Sequence, residues 1–347
     1  MNISWAGDPD GIAGKPVLRE FPASARERKE QKPGIKYKPL LQQEGVSLSP
    51  ALVNEMISLI AMDMDGTLLS DHTGRIAEEN VRALREAGER GIRLALASGR
   101  FADDAGGFAR LAGLDLAVIG LNGGHTVLHP GGETFDTRVI DPEEAAALFR
   151  LAQGSGLLHA IFATHTLWVS DPGMMYSSIW GTYLNQPWSR IGVCSGGAAA
   201  ERLIREGVHK IVVITEDRPE TLAVLRQRVI AELPGLTMSS SWFTNIEVNA
   251  GGVSKASALE RLAAHYGILM AEVMTLGDGE NDCAMLKAAG CGVAMGNAAP
   301  EAIACARWQT AANTEFGVAW AVRELALGQK GHHVRPVVHP ESRGLTQ

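Results

Sequence analysis

The sequence predicts an α/β protein: a mostly parallel sheet with helices on both faces, plus an inserted α+β domain. Three observations carry this reading. Short apolar runs alternate with amphipathic stretches from Ile57 to Leu121, the β-α-β-α-β order of a parallel sheet covered on both sides. Over residues 125–249 the rhythm changes to a mix of helices and alternating strands, and from 250 to 327 the first rhythm returns. With 347 residues the chain has room for two domains.

The first expected strand is Ile57–Met62, followed by a helix over Ala77–Glu89 with Val81, Leu84 and Gly88 on one face. Strand Ile92–Ala97, helix Ala102–Ala112 and strand Leu116–Leu121 complete the first half of the core. HTVLHPGGETFDTRVI is two alternating runs joined by Pro-Gly-Gly, a hairpin signal, and is assigned to the insertion. Within the insertion we expect helix Pro142–Gln153, one strand His159–Val169, strand Lys210–Thr215, helix Pro219–Leu233 and short strands Leu236–Ser240 and Asn245–Val248. The returning core holds helix Val253–Tyr266, strand Val273–Leu276, helix Asn281–Ala289, strand Gly292–Ala294 and helices from Pro300 and Thr314.

Both ends differ from this pattern. Six of the fifteen prolines lie in the first fifty residues, beside the basic polar run RERKEQKPGIKYK. Such a segment buries too little apolar surface to order itself, so residues 1–55 read as a flexible N-terminal extension. Residues 328–347 read as a C-terminal tail, with the His332-His333 pair part of that tail rather than a metal site.

Apolar residues make up 46% and charged residues 20%, the balance of a soluble globular protein. A net charge of −7 carries no nucleic-acid footprint. No apolar run reaches the roughly 18 residues a membrane span needs. The opening MNISWAGDPDG lacks the charged-then-apolar order of a secretory signal. Four cysteines without a C-x-x-C pair fit reduced thiols, so a cytoplasmic location is expected.

The residues that carry chemistry collect at strand ends. In SLIAMDMDGTLLS the first strand ends in Asp63 and Asp65, which share a face roughly 7 Å apart because side chains alternate along a strand. In open parallel sheets ligands bind at this carboxyl edge. Gly66 permits a sharp turn there. Two unpaired buried carboxylates repel each other; a divalent cation removes that cost, and hard oxygen ligands beside a phosphate favour Mg²⁺. The second strand ends in Ser98-Gly99-Arg100, a hydroxyl and a free amide suited to a phosphate oxygen. The third ends in Asn122-Gly123-Gly124, which is oxyanion chemistry or a plain turn. Lys255 lies at a helix start, where the dipole disfavours a cation unless an anion sits beside it. Asp278, Glu280 and Asp282 crowd a strand-to-helix turn at the same edge, and repel each other unless they hold a cation or pair with a lysine.

In this order, D-x-D-G-T-L-L, S-G-R, N-G-G, V-S-K-x-x-A-L and G-D-x-x-N-D resemble the haloacid dehalogenase (HAD) superfamily of phosphotransferases, from Ile57 to about Leu327. The insertion is about as long as that family's type IIB cap, which resembles the Cof-like branch of sugar-phosphate and cofactor phosphatases. The resemblance implies a Rossmann-like core made of residues 56–124 and 250–327, with a cap domain at 125–249. It implies Asp63 as nucleophile and Asp65 as general acid, then base. Mg²⁺ would be held by the Asp63 side chain, the Asp65 carbonyl oxygen and Asp278, with Asp282 anchoring Lys255 or the water shell of the metal. Ser98, with the Gly99 and Met64 amides, would grip phosphate oxygens, helped by Thr67, Arg100, Asn122 and Asn281. Lys255 would neutralise charge on the nucleophile and the phosphate. Ser98 stands where members commonly have Thr, and Asn-Gly-Gly replaces a more usual Asn-Gly-Ala.

The activity so implied is Mg²⁺-dependent hydrolysis of a small phosphomonoester, a sugar phosphate or phosphorylated cofactor, through an aspartyl-phosphate. A sugar phosphomutase with the same cap type would return the phosphoryl group to sugar instead. A non-catalytic phosphate-binding regulator would be expected to lack a reactive group, yet Asp63, Asp65, Lys255 and Asp278 are all present. The expected partner is a small phosphorylated metabolite, not nucleic acid or membrane. Substrate choice should reside in the cap, where Trp168, Met174, Met175, Tyr176, Trp180, Tyr183, Trp188 and Trp242 either line a pocket for a flat ring or pack the cap's own core. Neither the particular phosphomonoester nor the oligomeric state is specified by these motifs.

Overall fold

The computed structural model describes residues 56–70, 75–176, 189, 191–240 and 244–338. The extension expected at 1–55 lies outside them, as do Trp180, Tyr183, Trp188 and Trp242 and the side chains of Met175 and Tyr176.

The chain opens with β1 (Leu59–Met62), buried at every position. Helix α1 (Glu78–Glu89) turns Val81, Leu84 and Ala87 inward. β2 (Arg93–Ala97), α2 (Ala102–Leu111) and β3 (Ala117–Gly120) follow. β4 (His125–Val127) and β5 (Thr134–Thr137) then form the expected hairpin, but β4 pairs antiparallel with β3. Residues 125–137 therefore extend the large sheet instead of opening the insertion, a correction to the expected boundary. Alternation identifies a strand; it does not name the strand it pairs with.

Helix α3 (Pro142–Ser155) starts on the Asp141 side chain, which accepts from the Glu143 and Glu144 amides, and ends at left-handed Gly156. The single strand expected over His159–Val169 is two strands, β6 (Leu158–Phe162) and β7 (Thr166–Val169), paired antiparallel. Its turn is closed by the Ala163 N–H donating to the Thr166 carbonyl at 2.9 Å, with no Gly or Pro to announce it. Next come β8 (Gly192–Cys194), α4 (Gly197–Glu206), β9 (Lys210–Ile214), α5 (Pro219–Glu232), β10 (Thr237–Ser239) and β11 (Asn245–Asn249). The chain returns through α6 (Lys255–His265), β12 (Val273–Gly277), α7 (Cys283–Ala288), β13 (Cys291–Ala294), α8 (Pro300–Cys305), β14 (Trp308–Gln309), α9 (Gly317–Ala321) and β15 (Arg335–Pro336).

The large sheet has the order β15-β14-β13-β12-β1-β2-β3-β4-β5, parallel from β14 through β3. β1 sits in the middle, between β12 and β2. Alternate residues of β1 serve opposite layers: Ile60 and Met62 pack with α1, α2 and α9, while Leu59 and Ala61 pack with α6 and α7. Leu59, Ile60 and Met62 each contribute about 1.5–3 kcal/mol on leaving water, which is why a run of apolar residues specifies this central position. The expected loose tail is partly ordered. β15 pairs with β14, and the His333 ring stacks on Trp320 at 3.8 Å while its Nδ1 lies 3.0 Å from Glu324 Oε1.

The second sheet has the order β10-β11-β9-β6-β7-β8. One face, with Ile161, Trp168, Ile211, Val213, Ile246 and Val248, packs on α3, α4 and α5. The other face packs Phe162, Leu167, Val212 and Ile214 against Phe101 and Leu121 of the large-sheet half. Trp168 thus belongs to the cap's own packing, its Nε1 donating to the Gly196 carbonyl at 2.9 Å, and Met174 is buried in the seam between the two sheets.

Candidate active site

The carboxyl ends of β1, β2, β3 and β12 meet at one edge. Asp63 follows β1, and its chain parity points it to the α6 side. There Lys255 occupies the first position of α6, after the Ser254 N-cap. The Lys255 Nζ donates to Asp63 Oδ1 at 2.6 Å and to Asp282 Oδ1 at 2.7 Å, with all three side chains buried. These two carboxylates are the anions that offset a cation at a helix N-terminus.

Burial pushes the Asp63 carboxyl well above its usual range, opposed by Lys255 and reinforced by Asp282 and Asp278. Burial alone would lower the Lys255 ammonium, but the Asp282 and Asp63 carboxylates outweigh it and hold the pKa up. Asp278 is pushed up to about 6 by burial, against a 2.7 Å hydrogen bond donated by the Thr67 hydroxyl.

Backbone geometry makes room for this crowding. Gly66 has φ +81°, and a Cβ there would lie 2.3 Å from Asp278 Oδ2. Gly123 has φ +102°, and a Cβ there would lie 2.4 Å from the Ser254 carbonyl oxygen at the start of α6. The N-G-G glycine therefore lets the helix that carries Lys255 approach the third strand end.

Oxygens of Asp63, Asp278 and Asp282 lie within 4.8 Å of one another. An all-oxygen carboxylate set suits a hard divalent cation, and a bound cation would bring the raised carboxyls back down. Asp282 is already committed. Its Oδ1 takes Lys255, and its Oδ2 accepts the Asp278 and Gly279 backbone N–H groups at 3.0 Å each. Asp63 and Asp278 are the two carboxylates best placed to hold a cation, with Asp282 fixing the loop and the lysine between them.

Each remaining sequence-expected residue has a definite place. The Asp65 carboxylate turns from the acidic cluster to Arg100, which donates from Nη2 to Oδ1 at 2.6 Å and from Nε to Oδ2 at 2.8 Å. Arg100 Nη1 also donates to buried Asp104 at 3.1 Å. Arg100, expected beside phosphate, is thus engaged with two carboxylates. Ser98 is buried, and its Oγ accepts the Arg100 backbone N–H at 3.1 Å, so the hydroxyl hydrogen can turn toward a ligand. Asn122 is left-handed, φ +57°, and its Nδ2 donates to Glu247 Oε2 of the cap at 2.7 Å. Met64 is buried in the turn after Asp63. Asn281 is half-buried in the short helical turn Glu280–Asp282.

Sequence reasoning missed the cap's polar contribution: Lys210, Asn245, Glu247 and Asn249. In β11 the run Asn245-Ile246-Glu247-Val248-Asn249 alternates strictly, with every residue buried. Its apolar set faces the cap helices and its polar set faces the large-sheet half. Asn249 Nδ2 donates to the Leu121 carbonyl at 2.9 Å. The signal was a polar stripe on a strand with no exposed side.

A model of the haloacid dehalogenase-like hydrolase family matches residues 60–322. The chain is 34% identical over 275 residues to the 5-amino-6-(5-phospho-D-ribitylamino)uracil phosphatase YcsE of Bacillus subtilis, covering 78% of this chain and 96% of that one. It is 32% identical to the HMP-PP phosphatase of Cronobacter sakazakii, covering 72% and 88%. Among solved structures, the HAD subclass IIB sugar phosphatase BT4131 superposes with a TM-score of 0.67 at 26% identity, covering 77% of this chain and 98% of that one. A parallel sheet with a carboxylate pair at its central strand end, a buried lysine between acids and an inserted second sheet agree with these matches, and the chain belongs to the haloacid dehalogenase-like hydrolases, in the Cof-like branch that carries a type IIB cap.

Proposed function

We propose that the protein hydrolyses a small phosphomonoester in two steps through an aspartyl-phosphate on Asp63. The observation that carries this reading is the buried Lys255 ammonium bridging Asp63 and Asp282 at 2.6 and 2.7 Å. It fixes one Asp63 oxygen and leaves the carboxylate's other oxygen for attack on phosphorus. The Ser98 hydroxyl and the Gly99 and Met64 amides take phosphate oxygens, with Thr67 holding Asp278. Asp65, aimed by Arg100, gives a proton to the leaving alcohol and then takes one from water. Asn281 faces the phosphate from the Glu280–Asp282 turn. Mg²⁺ held by Asp63, Asp278 and the Asp65 carbonyl oxygen would supply positive charge against the phosphate oxygens. Catalysis is then mostly positioning and charge compensation.

The relatives' substrates, a phosphorylated ribitylaminouracil, HMP-PP and a sugar phosphate, support a small phosphorylated metabolite. Cytoplasmic work fits the four free cysteines. Among the described residues no helix is long and apolar enough to cross a membrane.

The test is phosphate release from hexose phosphates, pyridoxal phosphate, flavin mononucleotide and p-nitrophenyl phosphate, with Mg²⁺ and with EDTA. Release that requires Mg²⁺ is expected. Folded protein that releases nothing from the whole panel would contradict hydrolysis. A hexose phosphate converted to its isomer without phosphate release would make it a mutase.

A further inference from the structure

Two hydrogen-bond paths run from one buried ion pair in the cap to Ser98. Lys210 opens β9 and Glu247 lies in β11, on the sheet face turned to the large-sheet half. Lys210 Nζ and Glu247 Oε2 are 2.7 Å apart, and their side chains are only 3% and 6% exposed. On the first path, Lys210 Nζ donates to the Gly99 carbonyl at 2.8 Å. That carbonyl shares a peptide unit with the Arg100 N–H, which donates to Ser98 Oγ at 3.1 Å. On the second path, Glu247 Oε2 accepts from Asn122 Nδ2 at 2.7 Å, and the Asn122 backbone N–H donates to the Ser98 carbonyl at 3.0 Å.

We propose that Lys210 and Glu247 are positioning residues that set Ser98 for phosphate, so that the phosphate grip is complete only while the cap is seated. The inference rests on the phosphatase reading, in which the Ser98 hydroxyl holds a phosphate oxygen. An ammonium on the Gly99 carbonyl polarises the Gly99–Arg100 peptide. The Arg100 N–H becomes a stronger donor to Ser98 Oγ, and the Ser98 hydroxyl in turn becomes a stronger donor to its ligand. Glu247 neutralises the buried ammonium and orients Asn122, which fixes the other side of the Ser98 peptide. Packing alone does not call for this pair. The neighbouring positions of that face on β6 and β9 are the apolar Phe162, Val212 and Ile214, with Asn245 and Asn249 flanking Glu247 on β11, and a buried ion pair is no more stabilising than apolar residues of the same volume. Lifting the cap would break the Lys210–Gly99 and Glu247–Asn122 bonds together. The phosphate grip would loosen at the moment product must leave.

The test is a double-mutant cycle of Lys210→Met and Ser98→Ala, read as kcat/KM for p-nitrophenyl phosphate with Mg²⁺ and as inorganic-phosphate affinity by calorimetry. With Ser98 in place, Lys210→Met is expected to lower both about tenfold or more; with Ser98→Ala already made, at most about threefold. Equal losses in both backgrounds would mean that Lys210 does not act through Ser98, and would overturn the proposal. If Lys210→Met does not fold, Lys210→Met with Glu247→Gln removes both charges together and takes its place in the cycle. Wild-type protein that binds phosphate without turning over any ester sinks the phosphatase reading, while the affinity cycle still decides this one. Wild-type protein that binds no phosphate sinks both.

Discussion

Arg100 grips Asp65 with both arms of its guanidinium, Nη2 to Oδ1 at 2.6 Å and Nε to Oδ2 at 2.8 Å. The arginine is buried, while the Asp65 side chain is 45% exposed. The carboxylate therefore meets solvent and substrate in an orientation that the core sets. Lysine has one ammonium and cannot reproduce the fork. Arg100→Lys is expected to lower kcat about 10- to 100-fold with little change in KM, because the proposed proton donor is misaimed. Steady-state kinetics decide it; an unchanged kcat would leave the pair without a catalytic role.

Lys255 offers a sharper contrast between fold and chemistry. Removing its ammonium leaves Asp63 and Asp282 buried without their cation. Lys255→Met should cost about 3–5 kcal/mol of stability and lower kcat by more than about a thousandfold. Denaturant melts and turnover measure the two separately. Wild-type turnover in a folded Lys255→Met variant would remove Lys255 from the mechanism.

Gly66 is required by both conformation and space. At φ +81°, with a Cβ 2.3 Å from Asp278 Oδ2, alanine must displace the carboxylate. Gly66→Ala should cost about 1–3 kcal/mol in stability and weaken Mg²⁺ affinity further, by about tenfold or more. Calorimetric Mg²⁺ titration checks this. Mg²⁺ affinity equal to wild type would show that Asp278 does not hold the metal.

The raised carboxyl of Asp278 gives a pH signature. Its pKa of about 6 in the folded protein lies above the ordinary 3.8, so the folded metal-free state holds the proton more tightly than the unfolded chain. That contribution to stability is present below about pH 4 and is lost as pH rises through about 6. A cation competes for the same ionised oxygens. Mg²⁺ should therefore raise Tm clearly at pH 7.5 and little at pH 5. Thermal melts with and without Mg²⁺ at the two values test this, and an equal rise at both would contradict a role for Asp278 in metal binding.

Most of the large sheet was legible because its signals are local. An apolar run such as Leu59–Met62 closed by Asp63 states both burial and a strand end. Ser254 before Lys255 marks a helix start, and the unfavourable lysine there announces a nearby anion, found as Asp63 and Asp282. What was not legible depends on pairing over long separations. The hairpin of β4 and β5 was recognised as strands, but its attachment to β3 is decided by edge availability, which alternation does not encode. The turn between β6 and β7 lacks Gly and Pro, and the short polar step Thr164-His165-Thr166 reads as the outward positions of one longer strand. Lys210 meets Gly99 across 111 residues, and a lone lysine before the apolar run Ile211-Val212-Val213-Ile214 reads as an ordinary strand edge. His333 looked like tail because its partners, Trp320 and Glu324, lie on another element.

The central claim is that Asp63 carries the phosphoryl group. The most direct measurement is an acid quench within the first turnover on the best substrate of the panel, followed by mass spectrometry of the peptide containing Asp63. Wild type should show the phosphoryl mass increment on Asp63 itself, and Asp63→Asn should show none and release no phosphate. Full turnover by Asp63→Asn, or an increment placed on another residue, would contradict it.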